Sequence, residues 1–176
     1  MGPILLCLLA GCNTAATNNR AEPALDHLLT KMNERLALME SVAKYKWTTA
    51  KPIADPDREA VLLSAMEEKA KASQFSPKDA RWFFAAQIEA AKALQENHHL
   101  RWKQDEQTVP KEAADLAELR RRIDAVNDEL LAALIEYRKH PVDRALVRRK
   151  ASDLIVGEGI NERVRSLAIQ PLLSDQ

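Results

Sequence analysis

Seven polar side chains in this chain have the types and helical spacing to build one site for a small anion: Arg35, Lys46, Asp55, Arg58, Glu59, Gln95 and Arg120. Arg35 and Lys46 are eleven positions apart, so on one helix they differ by only about 20° around the axis. Met39 and Val42 lie between them on the same side, which puts both cations on the inward margin of an apolar stripe. Long stems with charged heads in water would explain either cation taken alone. Phe84, Ile88, Ala91 and Gln95 form another stripe, within about 60° of each other. Gln95 thus points where a leucine would serve stability better, although a hydrogen-bonded core glutamine fits the same pattern. In Arg120-Arg121-Arg122, the stripe Leu116, Ile123, Asn127, Leu130 and Leu134 selects one arginine. Arg120 lies within about 40° of Leu116 while its two neighbours are rotated away, so the expectation is one buried arginine and two solvated ones. Asp55, Arg58 and Glu59 share one turn, where Asp55 also suits a helix cap and Arg58 with Glu59 a solvated pair. Together the four cations stand where burial without an anion would be costly. They imply a cavity between helices for a small, multiply negative molecule, with few acids beside the cations.

The elements that must position these residues read as helices throughout. Apolar residues at Leu25, Leu28, Met32, Leu36, Met39 and Val42 or Ala43 define a helix over 23–50. Pro52 ends it. Asp55-Pro56 and Ser76-Pro77 each pair a capping side chain with proline at the first helical position, opening helices that run to about Ser73 and Lys103. A polar stretch at 104–109 leads to Pro110 and a long helix to about Lys139, closed by His140-Pro141. Two shorter helices follow, about 142–155 and 160–170, around Gly157 and Gly159. No alternating β pattern of useful length is present. The fold class is therefore all-α, a six-helix, bundle-like single domain with three long helices.

The composition agrees and excludes other chemistry. The chain has 176 residues, which suits one domain able to bury a core without staples. Its 26 Lys and Arg balance 26 Asp and Glu, against a general nucleic-acid binder, and Glu118, Asp124 and Asp128 cancel the arginine triplet as a basic patch. Both cysteines, Cys7 and Cys12, fall in the first twelve residues, leaving no thiolate metal site or disulfide in the folded part. His98 and His99 are adjacent and diverge by about 100°, which does not suit a shared metal. Residues 3–11, PILLCLLAG, are too short to span a bilayer and resemble the apolar region of an export signal. The ending Leu9-Ala10-Gly11-Cys12 is similar to a bacterial lipoprotein box, which would acylate Cys12, although Met1-Gly2 lacks the usual basic residue. Residues 1–12 thus read as an export signal, 13–22 as a polar linker and 23–176 as the helical domain.

The ordered set Arg35-x10-Lys46-x8-Asp55-x2-Arg58-Glu59, followed by Gln95, resembles the active-site pattern of the all-helical type II chorismate mutases. The strings NERLALMESVAKYKW and KPIADPDRE carry most of the likeness. It covers residues 24–103, and the later helices resemble the exported, periplasmic gamma subclass. That resemblance implies the isomerisation of chorismate to prephenate, a step of aromatic amino acid biosynthesis, with no metal or redox cofactor. It assigns Lys46 and Gln95 to catalysis, and Arg35, Arg58, Arg120, Asp55 and Glu59 to substrate binding. Shorter members take one arginine from a partner's N-terminal helix; the corresponding position here is Asn18, and in the exported subclass Arg120 fits the role. Two departures stand out. Ala91 replaces a frequent Ser or Thr, losing a hydroxyl contact to a carboxylate, and the C-terminal disulfide of some exported members is absent. The resemblance further implies a homodimer with each active site inside one chain. The rival readings are a non-catalytic exported helical protein, binding anions or serving as an adaptor, and a structural bundle whose charges snorkel.

Overall fold

In the computed structural model of the protein the described residues are 14–105, 108 and 115–174. They contain helices and connecting turns, with no strand among them. The helices are α1 (Thr14–Ala37), α2 (Met39–Thr48), α3 (Pro56–Ala72), α4 (Pro77–Gln104), α5 (Leu116–Arg138), α6 (Arg144–Leu154) and α7 (Glu162–Ile169), followed by a 3₁₀ turn at Gln170–Leu172. The all-α, three-long-helix architecture read from the sequence is the one observed. The first of the six expected rods is interrupted once, at Leu38. There the Leu38 N–H donates to the Arg35 carbonyl at 3.3 Å, a tighter i to i−3 step that separates α1 from α2.

Five helix starts are fixed by side chains the sequence supplies. The side chain of Asp55 accepts from the Arg58 N–H at 3.2 Å, and that of Ser76 from the Asp79 N–H at 3.3 Å, each just before a proline. Asp115, Asp143 and Asn161 do the same for α5, α6 and α7. Each such cap satisfies an N–H that the helix itself leaves unpaired.

One expectation is corrected. Residues 14–22, read as part of a polar linker, belong to α1, which carries Pro23 inside it. Proline removes one helical hydrogen bond there. Tertiary contacts hold the turn nonetheless: Ala21 is buried, and Lys150 of α6 pairs with Glu22 at 3.6 Å and Asp26 at 2.9 Å. Residues 1–12, expected to form an export signal, lie outside the described residues with Cys12 among them, as does Pro110.

The core is a single cluster. Leu25, Leu28, Leu29, Met32 and Leu36 of α1 pack with Leu130, Leu134 and Tyr137 of α5, and with Phe83, Phe84 and Leu94 of α4. Helix α4 runs through the middle, touching α2 and α3 along its length and α7 behind. Helices α3 and α5 face each other across a cleft and are joined there by ion pairs. That cleft is where the polar residues collect.

Candidate active site

A cleft of about 120 Å³ opens between α1–α2, α3, α4 and α5, and all seven residues singled out from the sequence line it. Met39, Val42, Leu62, Ile88 and Ile123 supply its apolar walls. Five cations (Arg35, Lys46, Arg58, Lys92 and Arg120) face two carboxylates, Asp55 and Glu59. The excess is positive and local, in a chain whose total charge is zero.

Arg35 is the deepest cation, only 4% exposed. Its Nε donates to Asn127 Oδ1 of α5 at 2.9 Å and its Nη1 to the Gln87 carbonyl of α4 at 3.0 Å. No carboxylate among the described residues pairs with it, and burial pushes its guanidinium down to about 10. It remains charged at neutral pH, with Nη2 still available to a ligand.

Lys46, half-buried, donates through Nζ to the Ile53 carbonyl in the loop before α3. Burial lowers its pKa, while Asp55 and Glu59 pull it up and Lys92 and Arg120 push it down. Asp55 caps α3, and its own N–H donates to Glu59 Oε1 at 3.3 Å. The cap therefore orients both acids at once. Glu59 Oε2 also lies 3.6 Å from Lys92 Nζ.

Gln95 is buried on α4. Its Nε2 donates to the Ala91 carbonyl at 3.1 Å and makes a long contact with Met39 Sδ at 3.8 Å. Its Oε1 is buried with no partner among the described residues. The contact to sulfur is weak, so that N–H can be handed to a better acceptor in the cleft.

The expectation that four cations are buried with few acids beside them is corrected. Only Arg35 is buried. Arg58, half-buried, pairs with Asp124 across the cleft, and Arg120 is exposed, its side chain retaining 45% of its surface at the rim. Arg120 Nη2 lies 3.8 Å from Asp55 Oδ2. Helical angle gave the direction of Arg120 correctly. It could not reveal that the neighbouring helix stands off and leaves a cleft, so that "inward" here means toward solvent-filled space. Asp124 and Asp128, read as neighbours neutralising the arginine triplet, instead reach across to Arg58 and Lys69 of α3.

The sequence reading missed the lining residue Lys92 and the buried Asn127, which holds Arg35. Lys92 lies three positions before Gln95, about 60° around the helix, at the edge of the stripe where a cation looks merely solvated. Asn127 was placed in an apolar stripe without a role, although a neutral amide there is the same signal that singled out Gln95. The Gln87 carbonyl carries no sequence signal.

Residues 26–96 match the family described as chorismate mutase type II. The chain is 31% identical over 128 residues to the secreted chorismate mutase of Mycolicibacterium smegmatis, covering 72% of this chain and 70% of that one. It is 30% identical over 124 residues to the monofunctional chorismate mutase of Enterobacter agglomerans, covering 70% and 67%. The crystal structure of chorismate mutase from Burkholderia thailandensis matches with a TM-score of 0.74 and 33% identity, over 85% of this chain and 98% of that one.

Proposed function

The chain belongs to the chorismate mutases, isomerases that convert chorismate to prephenate, and on that premise we propose how its cleft performs the reaction. The observation that carries the reading is the meeting of all seven expected residues in one cationic cleft. Chorismate is a dianion that reacts only from a compact, chair-like conformer. Arg35, Arg58 and Arg120 hold its two carboxylates through planar, multi-donor guanidinium groups. On binding, the substrate displaces Asp124 from Arg58 and Asp55 from Arg120, exchanging exposed ion pairs of little worth for contacts inside the cleft. Holding the reactive conformer supplies the orientational part of the acceleration.

As the ether C–O bond breaks and the new C–C bond forms, negative charge grows on the bridging oxygen. Lys46 Nζ and Gln95 Nε2 donate to that oxygen, Gln95 giving up its contact with Met39 Sδ. Glu59 and the backbone at Asp55 orient the ring hydroxyl. Ala91 offers no hydroxyl to the carboxylates, so the guanidinium groups carry that contact. No proton or electron pair passes to the protein, and the residues act by position and charge alone.

The apolar leader and relatives named as secreted support export. We place the chain in the periplasm or outside the cell, with Cys12 as the position for a lipid anchor, and as a homodimer whose sites are each complete within one chain.

The test is to mix purified protein with chorismate and follow prephenate. Turnover is expected. Loss of a preorganised donor costs about 3–4 kcal/mol, so Lys46→Ala should lower kcat roughly 10²–10³-fold. Its helical circular dichroism should be unchanged. Near-wild-type activity in a folded Lys46→Ala protein removes Lys46 from the mechanism. No turnover by the parent protein, with tight binding of a transition-state mimic, would mark a binding module instead.

A further inference from the structure

Arg35 is held by two acceptors, and both are neutral. The Gln87 carbonyl approaches from α4 and Asn127 Oδ1 from α5, so the guanidinium plane is fixed from two sides. Because a guanidinium only donates, the Asn127 amide must present its oxygen to Nε. Its Nδ2 is then left on the far side, buried and without a partner among the described residues. Asn127 is completely buried, so that orphaned donor carries a desolvation penalty.

An aspartate at 127 would give the buried Arg35 an opposite charge, at the cost of burying its own. It would pair with the buried cation and leave no orphaned N–H. Aspartate would also offset the charge that a substrate carboxylate needs. We propose that Asn127 is a positioning residue for substrate binding: it orients Arg35 through a neutral oxygen and thereby keeps the full positive charge of the guanidinium for the substrate. The inference rests on the reading that Arg35 binds chorismate.

The resulting test is an inversion of rank between two variants, read by melting temperature without ligand and by KM and kcat for chorismate. Asn127→Asp should melt higher than Asn127→Leu, which leaves the Arg35 Nε unpaired. Yet Asn127→Asp should bind worse, with KM raised tenfold or more and above that of Asn127→Leu, and with kcat altered less than KM. The rise in melting temperature produced by saturating prephenate should shrink most in Asn127→Asp. A purely structural role gives the opposite order, the more stable variant binding better, and that order would overturn the proposal. So would an Asn127→Asp protein that fails to fold. Arg35→Ala, measured alongside, separates the two levels. Unchanged KM in Arg35→Ala removes Arg35 from substrate binding and the present inference with it. A raised KM there, with the 127 variants ranked by stability, sinks the Asn127 inference alone.

Discussion

Gln95 donates through an amide, whose N–H groups are present at any ordinary pH. A glutamate in its place would have to be protonated before it could donate to the bridging oxygen. Activity of the parent protein should therefore persist through neutral pH, and Gln95→Glu should move the optimum toward acid. A rate profile against pH checks this, and an unchanged profile would count against Gln95 as a donor. The identities of the donors were legible because a polar residue on an apolar stripe stands out against its neighbours. How buried they are was not. Arg35 and Arg120 have equally inward angles, yet one is 4% exposed as a residue and the other keeps 45% of its side-chain surface. Exposure depends on how far the next helix stands off, and that distance is absent from a one-dimensional pattern. Lys92 shows the converse error, since a cation at the edge of a stripe looks solvated until a cleft opens beside it.

At the scale of the element, α4 carries the site on one side and the C-terminal packing on the other. His98 of α4 is buried, its ring stacked on Trp102 at 5.7 Å between centroids, with Gly159 packed against it. Only glycine suits position 159. Its φ is +78°, and a Cβ there would come within 2.9 Å of Leu94 Cδ1. Burial pushes the His98 imidazole below the usual histidine range; Glu40 pulls it up, while Arg101, Lys44 and His99 push it down. The unfolded chain therefore takes up this proton first. Stability is fully present above the unfolded value of about 6.5 and is lost as pH falls below it. The melting temperature should drop as pH falls below about 6.5, before the carboxylates begin to titrate. His98→Gln should flatten that limb, and an undiminished slope in the variant would assign the effect elsewhere. Helix starts were legible from Asp55-Pro56 and Ser76-Pro77 because a cap is a local event. The start of α1 was not legible, because a contact that supports the helix around Pro23, the pairing of Lys150 with Glu22 and Asp26, comes from more than a hundred residues away in sequence.

For the whole molecule, the neutral total conceals a cleft with five cations and two carboxylates. Every residue assigned a role comes from one chain, which predicts how activity responds to dilution. If the protein is a homodimer, the activity per chain should stay constant as the enzyme is diluted through the range where light scattering reports dissociation. A proportional loss with the dimer would mean that a second copy completes the site.

The sequence by itself determined the helical class, the caps that start α3 and α4, and the ordered set from Arg35 to Gln95 with Arg120 after it. These are properties of residue type and of spacing along a helix, which the local backbone enforces wherever the chain goes. Tertiary structure alone decided which acid meets which cation, that Arg35 is buried while Arg120 stands at a rim, and that two neutral oxygens hold Arg35. Those outcomes depend on the distances between α1, α3, α4 and α5. Packing of the whole core sets them, and no single stretch of sequence does.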